Sequence, residues 1–561
     1  MPALIECVPN FSEGRNPEII GAITGRIESV PGATLLHVDP GKATNRTVVT
    51  FAGEPEAVVE AAFQAIRAAA ELIDMRQHQG EHPRMGATDV CPLVPISGIT
   101  MEETAQYARR LAQRVGRELG IPVYLYEAAQ ADPARRSLAD IRAGEYEGFP
   151  LKIQDPAWKP DFGPAEFNAR SGATAIGARD FLVAWNVNLN TTSTRRANAV
   201  AFDVREAGRP KREGDPLTGK IVTDADGKPV MIPGALRAVK AIGWFIEEYG
   251  IAQVSINLTN LSVTPIHVAF EEVCRAAERR GLRVTGSELV GLIPLGALLD
   301  AGRYFLRKQQ RSLGVPEPEL VHIAVKSLGL DELALFKPEE RIIEYRLRNA
   351  TPAPLAAMTL TQFADATSSE SPAPGGGSVA AAVGALGAAL GTMVANLSAH
   401  KRGWDERWAE FSEWAERGQQ VKAELLRLVD EDTIAYNRVL AARGLPKVTP
   451  EEQAARRAAI EAANRGAIEV PWAVMQAAAK IFDIAHRMAE HGLPASASDA
   501  GVGALCARTA VRGAWLNVRT NVSGLKDPSA VADILAQGER LEREAAEREA
   551  EILRIVEAKF E

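Results

Sequence analysis

The stretch Ser378–Ala399, "SVAAAVGALGAALGTMVANLSA", decides how the second half of the chain is read. It carries no charged side chain and is long enough to cross a bilayer. Alanine and glycine dominate it, however, and large apolar side chains are few. Such a surface lets other helices approach closely, so the expectation is a buried, tightly packed helix rather than a membrane span. Outward from it the pattern stays helical. From Thr359 onward the chain runs through long Ala, Glu and Arg stretches with few β-branched clusters. Its last stretch, from Asp527, reads as an amphipathic helix or helix pair with a solvated charged face.

Upstream the pattern changes. "ALIECVPNF", "ATLLHVDP", "RTVVTFAG" and "IPVYLYE" read as strands, and "PEAVVEAAFQAIRAAAELI" and "MEETAQYARRLAQRVGRELG" as helices. A second unit begins near Ala178. There "RDFLVAWNVNLN" and "IAQVSINLTN" are strand-like, and "STRRANAVAFDVREAG" and "TPIHVAFEEVCRAAERRG" are helix-like. "ALRAVKAIGWFIEEYG" is read as a helix or a helix–strand passage. Residues 206–233, rich in Gly, Pro and charge, read as an exposed hairpin or mobile loop, either a tolerated insertion or a lid. The expected fold class is α+β followed by all-α: two α/β sandwich-like subdomains (1–178 and 179–336), a linker (337–357) and a helical domain (358–561).

A chain of 561 residues exceeds one ordinary core. With 46% apolar and 24% charged residues it is globular in composition. A net charge of −8 argues against general nucleic-acid binding, because no basic excess exists to displace counterions. The four cysteines, Cys7, Cys91, Cys274 and Cys506, form no CxxC pair, which fits a reducing compartment. The N-terminus, with Glu6 and Glu13 and no long apolar core, predicts no secretory leader.

One motif needs a decision. His78-x-x-Glu81-His82 has the letters of an inverted zinc-hydrolase motif. That reading needs both histidines on one helical face, yet Gly80 interrupts the turn and Pro83 pushes His82 toward extended conformations. Two other readings stand: a satisfied structural histidine, or an acid–base residue on a loop leading into the apolar run Val90–Ile96.

Longer stretches carry a resemblance. "ECVPNFSEGRN", "ATNRTVVTFAG", "EHPRMGATDVCPLVPI", "KPDFGPAEFNARSGATAIGARDFLVAWNVNLNT" and "KAIGWFIEEYGIAQVSINLTN" resemble glutamate formimidoyltransferase. "APGGGSVAAAVGALGAALGTMVANLS", "DEDTIAYNRVLAARGLPK" and "SDAGVGALCARTAVRGAWLNVRTNV" resemble formimidoyltetrahydrofolate cyclodeaminase and the related methenyltetrahydrofolate cyclohydrolases. In this order they resemble the bifunctional formimidoyltransferase-cyclodeaminase family over nearly the whole chain.

The resemblance implies two reactions of histidine degradation in the cytoplasm. A formimino group passes from N-formimino-L-glutamate to tetrahydrofolate, and the product closes to 5,10-methenyl-tetrahydrofolate with release of ammonia. Tetrahydrofolate, with or without a polyglutamate tail, is the substrate and carrier; no metal, nucleic acid or membrane is implied. It makes His82 the transferase acid–base residue. Asp39 then holds a cationic formimino group or pairs with His82, or else is a turn aspartate before Pro40. Arg46 clamps a glutamate carboxylate or makes a structural salt bridge. Folate contacts fall on Gly163, Pro164, Ala165, Glu166, Phe167, Asn168, Ala169, Arg170, Ser171 and Gly172, with Arg170 adding charge, and on Gly234, Ala235 and Leu236.

In the helical half the family pattern picks Asp432, rather than Asp430, as the cyclodeaminase acid–base group. Gly375–Gly377 are either an anion-binding nest or a packing device. Ser498, Asp499, Asn517 and Asn521 cap helices or touch the pterin, and Lys401 and Arg402 bind a polyglutamate tail or are merely solvated. A homo-oligomer built from dimers, up to an octamer, is implied. The alternatives are one active half, a helical half acting as a cyclohydrolase, or a folate-binding scaffold without catalysis.

Overall fold

The computed structural model describes residues 3–42, 44–80, 83–214, 219–349, 355–525 and 527–560. They form two compact units: one of residues 1–301 and 325–351, the other of residues 302–324 and 352–561.

The first unit opens with β1 (Leu4–Cys7), β2 (Asn10–Phe11), α1 (Pro17–Glu28), β3 (Ala33–Gly41), β4 (Arg46–Gly53) and α2 (Pro55–Leu72). It continues through β5 (Thr88–Ser97), α3 (Met101–Leu119), β6 (Val123–Glu127), α4 (Leu138–Arg142), α5 (Glu145–Lys152) and β7 (Thr174–Ala178). The strands make one mixed sheet: β3 and β4 on one side, β1 and β2 between β4 and β5, then β7 and β6 in parallel. Side chains alternate between its faces. Ile5, Cys7, Phe51, Cys91, Leu93, Val123 and Leu125 pack against α1, α2 and α3. On the reverse, Val90, Tyr124 and Tyr126 meet Ile141, Phe149 and Ile153 of the short α4–α5 region.

A second sheet follows: β8 (Val183–Leu189), α6 (Thr194–Val204), the small hairpin β9 (Arg209–Pro210) and β10 (Met231–Ile232), β11 (Val239–Ile246), β12 (Ile251–Leu258), α7 (Ile266–Glu278) and β13 (Val284–Val290). Its order is β11-β12-β8-β13, all antiparallel, with α6 and α7 on one face. β11 corrects the helical reading of "KAIGWFI". Burial alternates along it, Val239, Ala241 and Gly243 inward and Lys240, Ile242 and Trp244 outward, which is a strand's period of two. Gly243 is needed there, because a Cβ would lie 2.2 Å from Asn198 N of α6.

After α8 (Leu295–Lys308) and α9 (Glu317–Leu328), α10 (Pro338–Arg341) and α11 (Ile343–Asn349) occupy the stretch expected to be a linker. Ile342 and Ile343 are fully buried, and Ile343 N–H bonds Ile293 O at 3.1 Å. Two adjacent isoleucines give this segment enough apolar surface to dock, which a charged linker would lack.

The second unit holds α12 (Leu360–Thr367), α13 (Gly376–Ala399), α14 (Trp408–Gly444), α15 (Pro450–Ala479), α16 (Ile481–His491), α17 (Ala497–Asn521) and α18 (Pro528–Glu557). α13 packs against α14, α16 and α17 as a bundle helix. Its small residues sit where helices touch: a Cβ on Gly387 would lie 2.8 Å from Cys506 Cβ. Residues 302–324 belong to this unit. Ser312 Oγ bonds Asn396 Oδ1 at 2.6 Å, Leu313 N–H bonds Ser412 Oγ at 2.9 Å, and Gln419 Nε2 bonds Gly314 O at 2.9 Å.

Candidate active sites

Glu81 and His82 lie outside the described residues. The segments flanking them are closely held. Asn45, in the left-handed region at φ +47°, ties three loops together. Its Oδ1 accepts from Gly14 N–H at 3.0 Å, and its Nδ2 donates to Gln79 O at 2.9 Å. Its carbonyl accepts from His78 Nε2 at 2.9 Å. Gly80 lies against Thr44, where a Cβ would come within 2.3 Å of the carbonyl. On the far side, buried Arg84 bonds Glu147 through both Nη atoms, at 2.8 and 2.6 Å, and Glu145 at 3.1 Å.

His78 has both ring nitrogens engaged. Asn45 O only accepts, and Arg84 Nε only donates, to Nδ1 at 3.2 Å. These partners select the neutral Nε2–H tautomer, and burial also lowers the ring's pKa. Residues 78–80 are not helical, so the backbone lacks the turn that the zinc motif requires.

Arg46 opens β4 opposite Gly41, and Asp39 sits two residues along β3 opposite Val48. Burial pulls the Arg46 pKa down; the Asp89 and Asp39 carboxylates oppose that, while Arg142 adds to it. Asp89 is fully buried, accepts from Met85 N–H at 3.0 Å, and is paired with Arg142. Asp89 and Arg142 complete a charge cluster with Arg46 that the sequence reading missed.

Gly163–Gly172 is a docked loop. Gly163 (φ +83°) and Gly172 (φ +66°) press against Ile121 and Met85, where a Cβ would come within 2.3 and 2.1 Å of their carbonyls. Pro164, Ala165 and Glu166 are exposed, and the Phe167 ring lies tilted against Tyr146, 5.5 Å between centroids. Asn168 Oδ1 accepts from Ser171 N–H at 3.0 Å, and Ala169 O accepts from the Tyr146 hydroxyl at 2.5 Å. The Arg170 guanidinium donates to Glu71 O at 2.6 Å and Ala70 O at 3.4 Å. The carbonyls at the end of α2 carry partial negative charge and attract it. Gly234, Ala235 and Leu236 lie along the end of α6, with Ala235 N–H on Asp203 O at 2.8 Å and Leu236 N–H on Val204 O at 3.0 Å.

The face of the second sheet away from α6 carries another unanticipated feature. Trp244 Nε1 donates to Gln253 Oε1 at 3.1 Å, Gln253 Nε2 to Asn188 Oδ1 at 2.8 Å, and Asn188 Nδ2 to Glu332. Asn188 and Gln253 are fully buried. The signal was present as asparagines two apart in "WNVNLN".

In the helical unit a cavity of about 470 Å³ lies between α13, α14, α15 and α17. Its walls include Asp432, Tyr436 and Arg443 of α14, Asn464 of α15, Asn517 and Asn521 of α17, and Gly375–Gly377. Asp430 points elsewhere: its carboxylate accepts the Leu355 N–H at 2.6 Å. Asp432 Oδ2 accepts from Ser378 N–H at 2.9 Å and Ser378 Oγ at 3.2 Å. Gly375 gives α13 no side-chain cap, so Asp432 of the adjacent α14 caps the helix instead. The start of α13 is thus an anion site already taken by Asp432. Burial pushes the Asp432 pKa up, and the Ser378 hydrogen bonds pull against that.

Ser498 and Asp499 lie in the first turn of α17, away from these walls. Lys401 and Arg402 are exposed beyond the other end of α13, roughly 36 Å along the helix from Gly376.

Comparison with known proteins accounts for both halves. Residues 4–179 match the family model for the N-terminal subdomain of the formiminotransferase domain, and residues 184–348 the one for the formiminotransferase domain. Residues 359–540 match the model called formiminotransferase-cyclodeaminase. The chain is 43% identical over 560 residues to formimidoyltransferase-cyclodeaminase of Sus scrofa, covering 100% of both. It is 41% identical over 307 residues to glutamate formimidoyltransferase of Streptococcus pyogenes, covering 55% of this chain and 94% of that one. It is 38% identical over 201 residues to methenyltetrahydrofolate cyclohydrolase of Methylorubrum extorquens, covering 36% of this chain and 97% of that one. A solved formiminotetrahydrofolate cyclodeaminase from Thermotoga maritima aligns at 25% identity and a TM-score of 0.31, over 35% of this chain and 96% of its own.

Two sheets backed by helices, followed by a bundle with a half-buried carboxylate at a cavity, are thus the frame of a multifunctional folate enzyme. More narrowly, the chain belongs to the formimidoyltransferase-cyclodeaminase family.

Proposed function

We propose that this chain transfers the formimino group from N-formimino-L-glutamate to N5 of tetrahydrofolate and then closes the product to 5,10-methenyl-tetrahydrofolate, releasing ammonia. Family membership across the whole length carries this reading. The first unit is the transferase. N5 loses a proton as it attacks the formimino carbon, and the departing glutamate nitrogen gains one; His82 is assigned both transfers. Arg46 and Asp39 are assigned to the charged groups of the substrate, supported by their shared position at the edge of the Asp89–Arg142 cluster. Gly163–Gly172 and Gly234–Leu236 are assigned to folate.

The helical unit is the cyclodeaminase. N10 attacks the formimino carbon, the C–N bond to the departing nitrogen breaks, and ammonia leaves. Asp432 is assigned the proton transfer, supported by its place in the cavity wall and its raised pKa. The reaction belongs to histidine breakdown and to the cytoplasm, and its class is transferase plus lyase.

The assembly is a homo-oligomer built on a dimer of the helical unit. An exposed stripe supports this: Leu386, Met393 and Leu397 share one side of α13, and Val502 and Leu505 are exposed on α17 beside it. Sedimentation of the full chain as a monomer at micromolar concentration would remove this part of the proposal.

Purified protein given N-formiminoglutamate and tetrahydrofolate should produce both methenyl-tetrahydrofolate absorbance and ammonia. Glutamate release without ammonia would leave only the transferase. Folate binding without either product would make the chain a scaffold.

A further inference from the structure

The Ser378 hydroxyl has one proton and three oxygens around it. Oγ lies 2.8 Å from Val429 O, 3.2 Å from Asp432 Oδ2 and 3.3 Å from Thr433 Oγ1. Ser378 is fully buried, and its backbone N–H is a fixed donor to the same Oδ2. The hydroxyl, by contrast, rotates. Facing an ionised Asp432, it turns its proton to Oδ2. Facing a protonated one, it donates to Val429 O, and its lone pairs accept the acid's O–H. Neither state leaves a buried polar group unpaired, which is the condition for changing charge there without moving.

We propose that Ser378 is a positioning residue whose rotating hydroxyl lets Asp432 release and recover a proton in place during ammonia loss. The inference rests on Asp432 as the proton-transfer group. Among the described residues, the other titratable or charged groups on the cavity wall are Tyr436 and Arg443, both on α14. α13, α15 and α17 present glycines, asparagines, Ala467 and Thr520, so the hydroxyl has no charged competitor from those helices.

The test uses the full chain with 5-formimino-tetrahydrofolate, following ammonia release from pH 5 to 9. Ser378→Ala removes a donor to the ionised carboxylate. The limb of the profile that reports Asp432 should move up by about one pH unit, while the transferase profile stays fixed. Ser378→Cys, close in size but a weak donor, should move it the same way and serves if the alanine variant fails to fold. A merely structural serine predicts a lower melting temperature with unmoved limbs. Asp432→Asn is run alongside. If it is inactive and the Ser378 variants keep the wild-type profile, this inference alone falls. If it still releases ammonia, the assignment of Asp432 falls with it.

Discussion

A Cβ placed on Gly377 would lie 2.1 Å from Asp432 Oδ1 and 2.5 Å from its Cγ. The carboxylate therefore rests on the backbone of the first turn of α13, in space that only glycine leaves. Gly377→Ala should drive Asp432 off the Ser378 N–H. Deaminase activity should fall on the order of 10²-fold, the size expected for a misplacement of about 1 Å, with transfer unaffected. Ammonia release near the wild-type rate would show that Asp432 works from another position.

Asp430 and Asp432 should separate cleanly. Asp432→Asn keeps a cap oxygen but cannot carry a proton, so 5-formimino-tetrahydrofolate should accumulate during turnover. Asp430→Ala should leave both activities intact and cost about 1 kcal/mol in stability, because it removes the acceptor for the Leu355 N–H. The reverse pattern would exchange their roles.

His82→Ala should lower transfer by about 10²–10⁴ and spare deamination of added 5-formimino-tetrahydrofolate. Dialysis against a chelator should change neither activity. A loss that zinc reverses would restore the metal reading of the His78–His82 motif.

Asn45 should prove structural to the transferase loops. Asn45→Ala leaves the Gly14 N–H without its acceptor and puts alanine at φ +47°, costing about 1–3 kcal/mol from the hydrogen bond alone. Asn45→Gly restores the backbone but not the bond, so it should recover part of the stability and little of the transfer rate. Equal melting temperatures for wild type and both variants would contradict this.

Glu6 sets a pH dependence of stability. It is nearly fully buried, and burial pushes its carboxyl up to about 7, with Arg179 opposing and Glu344 adding. A raised acid binds its proton more tightly when folded. Its contribution is therefore fully present below pH 4.5 and lost as pH rises through about 7. The loss is about 3 kcal/mol. Glu6→Gln should flatten that slope, so that its melting temperature exceeds wild type at pH 8 but not at pH 4.

Period and composition made much of this fold legible. Strands one face of which is covered by helices show their alternation, and the Ala/Gly helix shows its packing through small residues. "KAIGWFI" misled because its strand alternates Ala and Gly with Ile and Trp, so the inward positions look weaker than the outward ones. The segment 337–349 looked like a linker because its charge hides two isoleucines that dock on Ile293. Site chemistry was harder to see. That Arg170 rests on the last turn of α2 could not be foreseen, because nothing in the sequence reveals that α2 ends beside it. Asp89 and Gln253 are polar residues made conspicuous only by complete burial, a property of the fold, and Arg142 only by its pairing with Asp89.

The chain passes between its two units after Ala301, returns after Ala324 and leaves again after Thr351. In the hands of a protein engineer this is a triple stitch. An engineered protease site between residues 349 and 355 would sever one thread and leave two. The halves should then travel together on a sizing column until denaturant is added. A gene cut at the same place would give a helical fragment lacking Ser312, Leu313 and Gly314, with Asn396, Ser412 and Gln419 stripped of their partners. Separating the two activities thus calls for point substitutions rather than scissors.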